Sequence, residues 1–472
     1  MNLKTIGFIK NFSYTILSNL ISLVVSILVV LIVPKLIGVE EYGYWQIYLF
    51  YVSYVGFLHF GWNDGVYLRY GGEEYSELDK RLFYSQFYTL LFFQVIIAFV
   101  LLFLARHFAN GNDRLFVLQM VSVCLVLTNV RYMLLFILQA TNRIKEYALI
   151  TILERVFYLT IIFVLLIFGN RDYRLMIVAD LIGKSISLTY AMFTCKEIVF
   201  NKMSSFYFTF PETLENINVG IKLMFANIAS MLIIGIVRFG IERTWDVTTF
   251  GKVSLTLSIS NMMMIFINAL GIIMFPILRR TSRERLSNIY STMRDFLMVL
   301  LLGGLIIYYP LKKVIEAWLP QYSESLLYMA LVFPMFIFEG KMALLINSYL
   351  KTLRREKVML KINLISMCIS IVITFISTQI VSNLNLAVLN IVILLATRSI
   401  YSEIYLAKEL KIRVKKDILL EVSLTIVFIL TGWFVNSLMT MPIYGMAYII
   451  YLFIKRKDIT GTIYSIKSLI KA

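Results

Sequence analysis

Six cations lie inside long apolar runs of the chain: Arg131, Arg155, Lys184, Lys222, Lys341 and Arg398. Lipid solvates charge poorly, so an ionised side chain in such a run faces a cavity or an opposite charge. The chemistry that several such cations share is electrostatic capture of an anion. Three carboxylates are placed to take up a coupling ion: Asp180, Asp64 and Glu339, with Asp180 the deepest. A blander reading stands beside this one. Cations near helix ends snorkel to the interface, which suits Lys222, Lys341 and Arg131. Others have acids close in sequence. Asp180 and Lys184 are i, i+4 on one helix face; Glu154 adjoins Arg155, Glu339 is two before Lys341, and Glu403 is five after Arg398.

The stretch "VPKLIGVEEYGYW" (33–45) raises a different chemistry. Glu40 and Glu41 are adjacent acids in a bend containing proline and glycine, as an acidic catalytic loop would have. Elsewhere, Tyr48, Tyr51 and Tyr54 recur at helical spacing and offer rings on which a sugar stacks. Asn261 and Asn268, seven apart, share a helix face and suit a sugar or a neighbouring helix. His59 and His107 read as interfacial packing residues. Cys124, Cys195 and Cys368 are isolated, with no Cys-x-x-Cys, so neither a metal site nor a disulfide framework is expected. No Gly-x-x-x-x-Gly-Lys-Ser/Thr occurs. Catalytic residues, metals and cofactors are therefore expected to be absent.

The elements that position these residues are helices in a membrane. Of 472 residues, 60% are hydrophobic and only 15% charged, against about 25% charged in an ordinary soluble protein. Apolar runs long enough to span a bilayer core recur from end to end. Fourteen spans are expected, near 11–33, 44–62, 82–105, 115–138, 147–168, 173–194, 217–238, 251–277, 293–309, 325–349, 359–381, 384–406, 417–437 and 441–454. The first reads as an uncleaved helix, and Pro276 and Pro310 read as span ends. The fold class is an all-α polytopic membrane protein, and no polar stretch is long enough for a soluble domain.

The net charge of +17 tests the topology. With fourteen spans, 29 of the 45 Lys and Arg residues fall on one side and 10 on the other, with six inside. That bias puts both termini in the cytoplasm and accounts for the charge without nucleic acid. The segments 279–294 and 408–417 then read as cytoplasmic basic loops, with membrane lipids as their nearest partners.

Residues 19–43 align without a gap on residues 227–251, at an offset of 208. Asn19 falls on Asn227, Ser22 on Ser230, Lys35 on Arg243 and Gly43 on Gly251. Both copies run the same way through the membrane, which makes this a parallel repeat of the kind that marks transporters with a site between two halves. The expected organisation is two pseudo-symmetric six-helix lobes, 1–210 and 211–410, with two extra spans and a cytoplasmic tail in 411–472.

On these residues the chain resembles a known family. "PKLIGVEEYGYW" is similar to the Arg/Lys-x-Leu-Gly-x-x-Glu-Tyr-Gly signature of O-antigen and polysaccharide flippases of the Wzx type, matching at Lys35, Gly38, Glu41, Tyr42 and Gly43, with Ile37 in place of leucine. "HFGWNDGVYLRYGG" (59–72) also resembles these proteins. They form a branch of the multidrug/oligosaccharidyl-lipid/polysaccharide exporter superfamily. The resemblance implies transport of an undecaprenyl-diphosphate-linked oligosaccharide, an O-antigen or capsule repeat unit, to the outer leaflet of a bacterial plasma membrane by alternating access. It also implies a polysaccharide polymerase and a chain-length regulator as partners. The six cations would then hold the diphosphate. The alternatives are a membrane glycosyltransferase or polysaccharide polymerase, and a small-molecule antiporter of the same fold.

Overall fold

The computed structural model describes residues 3–109, 111–280, 283–435 and 440–462, with side chains from residue 13 onward except 16 and 265–284. The side chain of Asn268 and the tail beyond residue 462 lie outside the described residues. Among those described, all regular structure is helical. Apolar surroundings demand this, because a helix satisfies its backbone groups within one segment. The chain divides into two compact units, Met1–Ile228 and Ala229–Ala472.

The first unit opens with α1 (Leu3–Leu36) and α2 (Val39–Val55). Helix α1 runs through Pro34 and stops only two residues later, so the bend of "VPKLIGVEEYGYW" is just Ile37 and Gly38. The expected second span is shorter than its apolar run. Helix α2 stops at Val55, the chain turns through Phe60 (φ 53°) and Gly61 (φ 85°), and α3 (Trp62–Arg69) follows. Then come α4 (Lys80–Phe108), α5 (Asn112–Ala140), α6 (Ile144–Ile167) and α7 (Tyr173–Thr194). Asp79 caps α4 by accepting from the backbone N–H groups of Arg81 and Leu82 at 2.9 and 3.1 Å. Helix α5 lies in the middle of this unit and is its most buried span.

Helix α8 (Phe210–Thr244) begins in the first unit and ends in the second, and α9 (Val247–Arg280) follows it. The repeat reappears in the helix ends. Leu36 and Val39 bound the first bend; Thr244 and Val247, each 208 residues on, bound the second. The two bends are built differently. Asp246 caps α9, accepting from the Thr249 N–H and the Thr248 hydroxyl, each at 2.9 Å. Gly38 has no side chain to cap α2 and holds an extended conformation there.

The second unit continues with α10 (Arg285–Trp318), the bent pair α11 (Pro320–Val332) and α12 (Met335–Thr352), α13 (Glu356–Ile380), α14 (Leu384–Leu410), α15 (Lys415–Phe434) and α16 (Thr440–Ile454). Two expectations change here. Segment 279–294 is not a loop: α9 passes Pro276 and reaches Arg280, and helix resumes at Arg283. Pro310 does not end α10, because it lies in the first turn of the α-helical stretch Tyr308–Trp318 that follows a 3₁₀ turn, where a missing N–H costs little. Ten described helices are long and apolar enough to cross a membrane, eleven if the pair bent by 43° counts as one span. Helices α2, α9 and α16 occupy the other three expected positions.

Candidate functional site

The first unit buries an ionic network built from four helices. Arg131 on α5 donates to the Glu154 carboxylate on α6 and, at 3.3 Å, to the Ser187 hydroxyl on α7. Lys184 donates to Asp180 one turn back on α7, and its Nζ lies 3.8 Å from Glu154. Tyr48 of α2 donates its hydroxyl to Asp180 at 2.6 Å. Gly183 brings α6 and α7 this close, since a Cβ there would lie 3.0 Å from the Glu154 carbonyl. All four charged side chains are buried. Two cations balance two carboxylates, which is what burial of charge requires.

Arg155 adds a third cation at the edge of this network. It is half-buried, its Nε is buried without a hydrogen-bond partner, and among the described residues no carboxylate forms an ion pair with it. Lys222, on α8, is exposed.

The second unit holds a larger network. Lys341 on α12 is fully buried, with Glu403 of α14 at 2.7 Å and Glu421 of α15 at 2.6 Å. Arg294 of α10 bridges the same two carboxylates from the other side, through Nε to Glu403 at 2.6 Å and Nη2 to Glu421. The network extends through Asp417 to Lys455, which reaches Asp417 at 2.9 Å and Asp295 at 2.8 Å. Lys341 opens a π-helical stretch, Lys341–Ile346, where the wider turn re-aims the side chains after it. Nearby, Arg398 of α14 pairs with Glu339 of α12 at 3.3 Å and donates to Ser230 of α8 at 3.0 Å.

The structure brings together some of the expected residues and separates others. Arg131 joins Lys184 and Asp180; Lys341 and Arg398 belong to separate groups in the other unit; Asp64 lies apart on α3. The Asp180–Lys184 pair is as the i, i+4 spacing requires. The other three local partners differ from expectation. Glu154 serves Arg131, Glu339 serves Arg398, and Glu403 serves Lys341 and Arg294. Spacings of one, two or five residues do not share a helix face, so those acids turn to neighbouring helices.

Arg294, Glu421, Asp417 and Lys455 join the expected residues here. Arg294 and Asp417 lie in segments whose charge reads as basic loops. Glu421 was visible as a lone acid in the apolar run "ILLEVSLTIVF". Glu41 also receives a definite role: its carboxylate accepts from the Tyr173 N–H at 2.8 Å and so caps α7. It is a cap across helices, and Tyr44 stacks on Tyr173 beside it at 5.0 Å.

No protein-family model and no curated protein matches the chain. Solved structures do. An inward-facing multidrug resistance MATE family transporter of the MOP superfamily matches with a TM-score of 0.62 and 9% identity, over 83% of this chain and 98% of its own. The lipid II flippase MurJ, in an inward closed conformation, matches at 0.64 and 14%, over 95% and 99%. A mutant MATE protein matches at 0.51 and 10%, over 86% and 94%. At these identities the likeness establishes the fold. The chain is a multi-pass helical membrane protein with the fold of multidrug transporters and a lipid flippase, and these neighbours are transporters rather than enzymes.

Proposed function

We propose that this protein flips an undecaprenyl-diphosphate-linked oligosaccharide, an O-antigen or capsule repeat unit, from the cytoplasmic to the outer leaflet of a bacterial plasma membrane by alternating access. Both termini face the cytoplasm, and a polysaccharide polymerase and chain-length regulator receive the product. The observation that carries this reading is the charge balance of the first unit. Arg131 and Lys184 are neutralised by Glu154 and Asp180, and Arg155 remains over, half-buried beside them. A cation in excess of its partners within the apolar part of a membrane protein suits a mobile anionic group, which a diphosphate supplies. The flippase-like signature in residues 34–45 and the fold shared with a lipid flippase agree with it.

The site assignment narrows accordingly. Arg155 is the first choice for diphosphate contact and Lys222 the second. Arg131, Lys184, Lys341 and Arg398 act through the networks that hold their helices. Deletion of the gene is expected to leave lipid-linked repeat units on the cytoplasmic leaflet, with wild type restoring surface polysaccharide and Arg155→Ala, at equal expression, failing to. Loss of surface polysaccharide without that accumulation would overturn the proposal. Export of small cations by the purified protein would favour the antiporter reading instead, since it shares the fold.

A further inference from the structure

The turn between α2 and α3 holds a further ionisable arrangement that neither network uses. His59 is buried in it. The Gly61 N–H donates to His59 Nδ1 at 3.0 Å, which makes Nδ1 the acceptor and leaves the ring proton of the neutral imidazole on Nε2. Nε2 lies 3.6 Å from Oδ2 of Asp64, in the first turn of α3. Among the described residues no Lys or Arg pairs with Asp64.

The surroundings are polar but uncharged at close range. From α4, Gln94 donates to the Leu58 carbonyl at 3.2 Å and Gln86 accepts from Trp62 at 2.7 Å. From α5, Asn129 donates to the Val55 carbonyl at 3.0 Å and accepts on its own carbonyl from Asn63 at 3.0 Å. The charged groups on packed elements are engaged or turned out. Arg69 is held by Glu212 and Glu215, Arg131 by Glu154, and Lys222, which follows Ile221, is exposed.

This turn is pressed against α8, backbone to backbone. A Cβ on Gly61 would lie 2.5 Å from the Ile221 nitrogen, one on Gly65 1.8 Å from the Asn216 carbonyl, and one on Gly220 2.0 Å from the Gly61 carbonyl. No side chain cushions the contact, so any change in the shape of the turn bears directly on α8. That helix continues past Ile228 into the second unit.

We infer that Asp64, with His59 as its neighbour in the turn, is a proton-binding site whose occupancy reshapes the contact of α3 with α8, which makes the proton the coupling ion of transport. The coupling role rests on the transport reading above; the proton site and its effect on α8 do not. The step is a protonation by hydronium: an O–H bond of hydronium breaks, one forms on the Asp64 carboxylate, and water is left behind. The neutral acid no longer attracts the Nε2–H dipole 3.6 Å away, and the turn relaxes around it. Burial supports the range, lifting the Asp64 carboxyl to about 6 and pushing His59 down to about 4. Between those values the pair holds one proton on Asp64 and a neutral imidazole.

Hydrogen–deuterium exchange of the full chain in lipid nanodiscs, from pH 5 to 8, tests the site without any substrate. After correction for intrinsic exchange, protection in residues 56–66 and 212–222 is expected to change severalfold with a midpoint near 6. Asp64→Asn should abolish that transition and hold the low-pH pattern throughout, while Asp64→Glu should keep a transition. A flat wild-type profile, or the same midpoint in Asp64→Asn, overturns the proposal. If Asp64→Asn misfolds, the wild-type profile with the His59→Gln and Asp64→Glu variants still decides: an unmoved midpoint in both sinks it. Coupling is read separately, as lost response of export to an imposed pH gradient.

Discussion

At the level of single residues, the chain spends most of its buried cations on its own architecture. Lys341 illustrates this. It has no exposed surface, and both Nζ contacts are to carboxylates that Arg294 also bridges. Removing one member leaves an excess of opposite charge buried, and breaking a buried pair costs about 3–5 kcal/mol. Glu421→Leu is therefore expected to lower the thermal stability of the detergent-solubilised protein strongly, and so is Lys341→Met. The double variant Lys341→Met/Glu421→Leu should lose less than the sum of the two. A double-mutant cycle measured by thermal denaturation checks this, and strict additivity would show that the pair does not interact. Arg155 belongs to the other category, since its removal takes away no ion pair seen among the described residues. Its loss should reduce export far more than stability.

At the level of helices, the close approach of α3 and α8 depends on glycine at particular positions. Gly65 and Gly220 sit where a methyl group would overlap the opposing backbone, and backbone yields less readily than a side chain. Gly65→Ala is expected to displace α3, weaken the Arg69–Glu212 contact nearby and lower both stability and transport. Gly445→Ala on α16 is the control, because an added Cβ there meets nothing within 4 Å; alanine should be neutral or stabilise that helix by about 1 kcal/mol. Equal stabilities of the two variants would show that the α3–α8 contact is not as tight as drawn. The repeat is an element-scale feature that the residues announced. The two-residue bends at Ile37–Gly38 and Trp245–Asp246 fall 208 apart, as the ungapped alignment of 19–43 with 227–251 requires.

For the whole molecule, the two helices after residue 411 read in the sequence as an appendage. These helices also supply charges to the second unit. Glu421 and Asp417 of α15, and Lys455 at the end of α16, complete the ionic network of the second unit. A chain truncated to 1–410 would leave Lys341 and Arg294 sharing Glu403, with Asp295, 3.9 Å from Arg294, as the other remaining carboxylate of the network among the described residues. Such a chain is expected to express poorly and to aggregate on size-exclusion chromatography. A monodisperse, transport-competent 1–410 fragment would contradict this.

The sequence alone determined the class. Apolar runs of spanning length, few charges and an internal repeat fix a polytopic helical protein, because lipid leaves a chain of this composition little other choice. It also pointed to four of the buried cations, Arg131, Lys184, Lys341 and Arg398, since a Lys or Arg within such a run has nowhere polar to go unaided; Lys222 is exposed, Arg155 is half-buried, and buried Arg294 and Lys455 lie outside that set. Tertiary structure decided which carboxylate answers which cation. Sequence spacing specifies pairing only at three or four residues along one helix, as for Asp180 and Lys184. Glu154, Glu339, Glu403 and Glu421 meet their partners across helices, and which helices become neighbours depends on packing of the whole unit. The same holds for His59 and Asp64: their closeness follows from a left-handed turn at Phe60 and Gly61 that breaks an apolar run where hydropathy alone predicts continuous helix.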